Sequence, residues 1–285
     1  MAHFLDPKHD LTFKRVFGEH KHLCISLINS MLPLEEPVVN IEYQSGELIP
    51  PLDILRNTIV DVRCTDAGGR QFLVEMQMFW YESFKQRVLL NASKAYVMQL
   101  DTSKDYKLLQ PVYSLSFVNE TFEKSENMKD IYFHHYKIVN IDHTEKRIDG
   151  LEFVFLELPK FKPQNRAEKK LQELWLRFLT EINENTEDIP PELLEEEDIR
   201  EAVGYMKKSA YTKEQLAQYD KEKIDLWSAQ SMLYDAIARG EARGEIKEKI
   251  KIVISSDRAG LPIETISTIT ELTVEEIRKI LENQK

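Results

Sequence analysis

From Asn57 to Trp80 apolar and polar positions alternate in two β-rich runs, N-T-I-V-D-V-R-C-T and Q-F-L-V-E-M-Q-M-F-W, around D-A-G-G-R. Paired glycines permit positive φ, so the pattern predicts a tight antiparallel hairpin turning at Gly68. In that register Asp66 pairs with Arg70 and Val62 with Val74. Asp61, in the first arm, then lies opposite Glu75, and Gln77 shares their face because side chains two apart in a strand point the same way.

The hairpin sits between segments with other periods. Leu11, Phe13, Val16, Phe17, Leu23, Leu27, Ile28 and Met31 recur at near-helical spacing, predicting one helix from an Asp10 N-cap to Pro33. Alternation from Val38 to Ile49 predicts a first strand, bent at Gly46 and closed by Pro50-Pro51. Glu82 to Leu100 returns to a helical period and sets Arg87, Asn91 and Lys94 on one face. That face is either solvated, or it lets Arg87 reach back to the carboxylates or to a phosphate. Gln110 to Val118 predicts a buried strand, pairing in parallel across the crossover helix. Two further β-rich runs, Asp130 to Val139 and Leu151 to Leu158, precede Pro159 and Pro163.

Beyond Lys162 helix formers take over. Ala167 to Ile182 carries an apolar stripe, Pro190-Pro191 and Glu195 to Asp198 open another helix, and Thr212 to Ile254 predicts a long one. Gly240-x-x-x-Gly244 lies inside it, and each glycine costs a helix about 1 kcal/mol, so a break or a close helix contact is expected. At the end Pro262 starts one short helix, and Thr273-x-x-Glu276 opens another as a capping box. The last helix offers Glu275, Glu276, Arg278 and Lys279, a mixed surface suited to protein packing over DNA reading. The expected organisation is therefore an α/β domain over 1–162 and a helical region over 163–285 that could carry a homodimer.

Composition narrows the class. Of the 285 residues 42% are hydrophobic and 31% charged, with no apolar run long enough for a membrane span and no leader pattern, which predicts a cytoplasmic protein. Cys24 and Cys64 make neither a disulfide framework nor a zinc pattern, and His20, His22, His134 and His135 lack a spaced partner set. A net charge of −11 argues against broad nucleic-acid binding. Residues 1–165 hold 19 basic and 23 acidic side chains, or −4, so any nucleic-acid contact there is local.

The hairpin carries the candidate chemistry. Two carboxylates opposed in a sheet repel by roughly 0.2 to 1 kcal/mol when exposed, and by more in a pocket. A divalent cation offsets that, and Mg²⁺ is commonly held by one or two carboxylates plus phosphate oxygens. The alternatives are a register slipped by one residue, or two acids facing water.

Several stretches together resemble one family. They are D-L-T-F-K-R-V-F-G from Asp10, I-V-D-V-R-C around Asp61, V-E-M-Q-M around Glu75, F-x-x-R at Phe84 to Arg87, S-K-A-Y at Ser93 to Tyr96, and D-Y-K-L-L-Q-P-V-Y-S-L-S-F from Asp105. Over roughly residues 6–160 the chain resembles the recombination-promoting nucleases and transposases of the PD-(D/E)XK group. The resemblance implies a restriction-endonuclease-like core of helix, three antiparallel strands, helix and parallel strand, and Mg²⁺-dependent (or Mn²⁺-dependent) cleavage of DNA. Asp61 and Glu75 would hold the metal, and Gln77 would stand where the wider superfamily has lysine. Lys14 or Arg87 would supply the missing cation, and Asp10 is either an outer acid or a helix cap. A catalytically weak assembly module on the same scaffold is the alternative.

Overall fold

The computed structural model describes residues 4–48, 58–100, 105–163 and 170–282. Two helices, rather than the single one expected, open it: α1 (Asp10–Phe17) and α2 (Lys21–Met31). The Gly18 N–H closes the first on the Lys14 carbonyl at 2.6 Å, and His20, extended, starts the second. Apolar spacing survives the break because Phe13, Val16, Phe17, Leu23, Leu27 and Ile28 enter one core. The N-cap position is His9, not Asp10; Asp10 is already helical, and its carboxylate pairs with Lys14 at 2.7 Å.

The expected strand from Val38 to Ile49 divides into β1 (Ile41–Tyr43) and β2 (Glu47–Leu48), followed by β3 (Thr58–Ile59), β4 (Val62–Asp66) and β5 (Gln71–Gln77). Gly46 is the reason for the bend. A Cβ there would stand 2.4 Å from the Val60 carbonyl oxygen, and its own carbonyl accepts from Val60 N–H at 3.0 Å. As a result β1 joins β4 in the large sheet, while β2 pairs with β3 in a separate ribbon. Pro50 and Pro51 lie outside the described residues. The hairpin has the expected register, Val62 opposite Val74, with Asp66 Oδ1 accepting from the Gly68 and Arg70 N–H groups and Gly69 at φ +87°.

After β5 the chain forms α3 (Phe84–Val97), β6 (Val112–Val118), β7 (Phe133–Val139) and β8 (Arg147–Glu157). Strand β6 runs parallel to both β5 and β8, and β7 closes the sheet antiparallel to β8, giving the order β1-β4-β5-β6-β8-β7. Alternation sorts the two faces. Phe72, Val74, Leu115, Phe117, Val154 and Leu156 join the core around α1 and α2, whereas Leu73 packs on Ala92 and Ala95, and Phe155 on Phe84 and Val88, beneath α3.

The remaining helices are α4 (Lys170–Glu181), α5 (Pro191–Glu195), α6 (Glu197–Tyr205), α7 (Lys213–Arg258), α8 (Ile263–Thr270) and α9 (Val274–Glu282). Trp175 of α4 is fully buried, edge-on to Phe17 at 5.2 Å, and its indole N–H donates to Ser26 at 3.2 Å. Compact packing divides the chain into Met1–Lys223 and Ile224–Lys285. The change of composition at 162 thus separates strands from helices, while α4, α5 and α6 share the core of α1 and α2.

The long helix α7 runs on through Gly240 and Gly244, and no described atom lies within 4 Å of a Cβ at either position. The expected break or close contact is absent among the described residues; the helix formers around the glycines carry the backbone through. In the second unit Val253, Ile266 and Ile277 form a small core, and Thr273 and Glu276 make the capping box, with Thr273 N–H donating to Glu276 at 2.8 Å. None of the described helices is long and apolar enough to cross a membrane.

Candidate active site

Strand β4 separates from its neighbour at Val62, because Val60 has turned to bond Gly46. The Met76 N–H on β5 then needs another acceptor, and Asp61 Oδ2 takes it at 2.7 Å. Asp61 therefore sits at the bend before β4 rather than in the hairpin arm, near Glu75, with its carboxylate held on the β5 backbone. Burial pushes its pKa up to about 7; the charges of Glu75 and Asp10 add to the rise, and the Met76 N–H and Lys14 oppose it.

Glu75 is 3% exposed. Asn91 Nδ2 donates to its Oε1 at 2.9 Å, and Arg87 donates to its Oε2 at 3.2 Å. Burial raises its pKa too, against the pull of Arg87 and Asn91. The same Arg87 nitrogen donates to Gln77 Oε1 at 2.8 Å, and the Gln77 amide donates to the Phe79 carbonyl at 2.5 Å. Gln77 is thereby fixed with its oxygen toward the guanidinium.

The stripe on α3 thus faces the sheet, with Arg87 and Asn91 on Glu75. Arg87, Asn91 and Lys94, one turn apart, reach Glu75 and Gln77, Glu75, and Thr58 respectively. Lys14 and Asp10 act on the charge of Asp61 from α1, paired with each other. Helical spacing places Asn91 on the stripe and gives it no role. Ser116, opposite Glu75 on β6, gave only a faint signal as a small polar residue in the apolar run V-Y-S-L-S-F-V. Asn91 Oδ1 and Ser116 Oγ are both buried without a hydrogen-bond partner.

These residues fit a hard divalent cation. Two carboxylates, both raised by burial, gain from a positive charge between them, and the unpartnered Asn91 and Ser116 oxygens add hard acceptors nearby. Among the described residues no three His, Cys, Asp or Glu side chains converge on a metal position. Mg²⁺ binds in this way when waters and substrate oxygens complete its shell.

A family model of PD-(D/E)XK nuclease family transposases matches residues 7–236. The chain belongs to that family. The match takes in α1 through α6 and enters α7, so the helices that complete the core belong with the PD-(D/E)XK sequence pattern. Family membership implies a hydrolytic nuclease linked to transposition, a class that generally uses divalent metals on DNA. No curated protein and no solved structure matches the chain. In this PD-(D/E)XK chain Glu75 stands on the parallel β5–β6 pair and Asp61 at the bend before β4, and an arginine from the crossover helix bonds the glutamine.

Proposed function

We propose that the chain is a divalent-metal-dependent endodeoxyribonuclease, built on a restriction-endonuclease-like core, that hydrolyses phosphodiester bonds during transposition or recombination. The observation that carries this is the pairing of half-buried Asp61 with buried Glu75, with Arg87 joined to both Glu75 and Gln77. Asp61 and Glu75 would hold Mg²⁺, or Mn²⁺ in its place. When bound, the cation supplies Lewis-acid polarisation of the scissile phosphate and activation of water near neutral pH.

The protein's groups have separate tasks. Gln77, an amide, does not accept a proton at ordinary pH, so it orients the attacking water or the scissile phosphate through its fixed oxygen and N–H. Arg87 exchanges its bond to Glu75 for a phosphate oxygen, where its fork offsets the charge that develops. Asn91 keeps Glu75 aligned, and the Met76 N–H does the same for Asp61. Lys14 offsets the acids from α1.

Supercoiled plasmid incubated with the purified chain and Mg²⁺ or Mn²⁺ should be nicked, and Asp61→Ala or Glu75→Ala should abolish nicking. Undiminished nicking by both variants would remove the assignment. A second reading, an inactive assembly module, draws on Arg87, which already neutralises Glu75. Titration calorimetry separates the two: a nuclease binds Mg²⁺ in a way that Asp61→Asn abolishes, and an inert scaffold does not. The helical residues beyond the core are proposed to set a homodimer.

A further inference from the structure

Helix α3 carries a second row of side chains on its other flank. The ring of Phe84 has the Arg87 guanidinium 4.9 Å from its centroid and the Phe155 ring at 6.2 Å. One aromatic ring therefore lies between the arginine of the acid pair and a groove on the β7–β8 side of the helix. That groove has a volume of about 180 Å³ and is lined by Lys85, Leu89, Tyr136, Phe153 and Phe155. Its rim is apolar yet open, with Leu89 49% and Tyr136 42% exposed. The Lys85 ammonium lies 4.7 Å from the Phe122 ring, 5.6 Å from Tyr136 and 5.7 Å from Trp80. Its charge also acts on the Glu123 carboxylate.

We propose that this groove takes one unpaired base of the DNA strand being cut, with Lys85 on an adjoining phosphate, and that the substrate is single-stranded or locally unpaired DNA. The proposal rests on the nuclease reading above. The cavity is smaller than the roughly 300 Å³ at which pockets for drug-sized ligands begin, so it suits a single flat ring system. Aromatic walls with a cation at the mouth complement a π-face on an anionic backbone; an aliphatic side chain from a protein partner has no use for the ammonium. Charge points the same way. At −11 overall the chain has little to gain from counterion release along a duplex, and base stacking supplies affinity that does not depend on it.

The test is fluorescence polarisation with the full chain in EDTA, which silences cleavage. The probes are a short labelled oligothymidylate, the matching duplex and an abasic oligomer of equal length. The oligothymidylate should bind about tenfold tighter than either of the others. Tyr136→Ala and Lys85→Met should each weaken it several-fold, and Tyr136→Phe should not. If Tyr136→Ala fails to fold, Leu89→Glu on the open rim places a carboxylate at the groove and should have the same effect. Equal binding of the abasic oligomer, or indifference to these variants, overturns the groove. Reading binding in EDTA and cleavage in Mg²⁺ keeps the two readings apart: plasmid nicking without base-dependent binding overturns the groove alone, and base-dependent binding without nicking overturns the nuclease alone.

Discussion

Burial around Asp61 disfavours the charged form of its carboxyl group. Its carboxyl pKa of about 7 in the fold lies above the ordinary 3.8. Its contribution to stability is therefore full below the ordinary value and is lost as pH rises through about 7. Asp61→Asn keeps an acceptor for the Met76 N–H and removes the charge. In EDTA it should stabilise the protein on the order of 2–4 kcal/mol at pH 8 and change little near pH 4, as read by urea unfolding. Arg87 has the opposite sign. Arg87→Met leaves Glu75 buried without its cation; because the arginine side chain is 37% exposed, about 1–3 kcal/mol is expected, less than for a fully buried pair. Added Mg²⁺ should raise the Tm of that variant more than that of wild type. At this scale the shared face of Glu75 and Gln77 could be read from strand alternation, whereas Asp61 lies outside β4. The aim of the Asp61 carboxylate could not, because it follows from where the ladder between β4 and β5 stops.

Bends decide what each element delivers. Gly46 turns the chain between two sheets with no room for a Cβ, so Gly46→Ala should cost about 1–3 kcal/mol as the Val60 carbonyl shifts. The same shift should move Asp61 and weaken Mg²⁺ binding in calorimetry; normal affinity would show that the bend does not position the acid. The hairpin register was legible because Gly68-Gly69 left one turn and Val62 opposite Val74 left one buried face. The two-helix start was not, since Gly18 interrupts hydrogen bonding without interrupting the apolar stripe. The stripe on α3 needed the sheet beneath it. Spacing alone puts Arg87, Asn91 and Lys94 together, and only packing turns the first two to Glu75 and the third to Thr58.

The compact unit is larger than its strands. Trp175, Phe178 and Leu179 of α4 cover Phe17, Leu23 and Leu27, and the N-terminal Leu5 N–H donates to Met206 at 2.8 Å beyond α6. A fragment ending at 162 should therefore aggregate or melt without cooperativity, and one ending at 223 should show a single sharp transition by circular dichroism. Trp175→Ala in the full chain should cost about 3–5 kcal/mol. If residues 224–285 set the proposed homodimer, light scattering should find the full chain dimeric and the 1–223 fragment monomeric.

Local patterning by itself determined the hairpin, its register, the parallel strand beyond the crossover helix and the shared face of Glu75 and Gln77, because those depend on side-chain period and turn stereochemistry over a few neighbouring positions. Tertiary structure alone decided that α4 to α6 close the same core, that Asp61 turns to Met76, and that Arg87 and Asn91 meet Glu75. Those outcomes depend on which surfaces are left open once distant segments have packed, and a one-dimensional pattern holds no record of that.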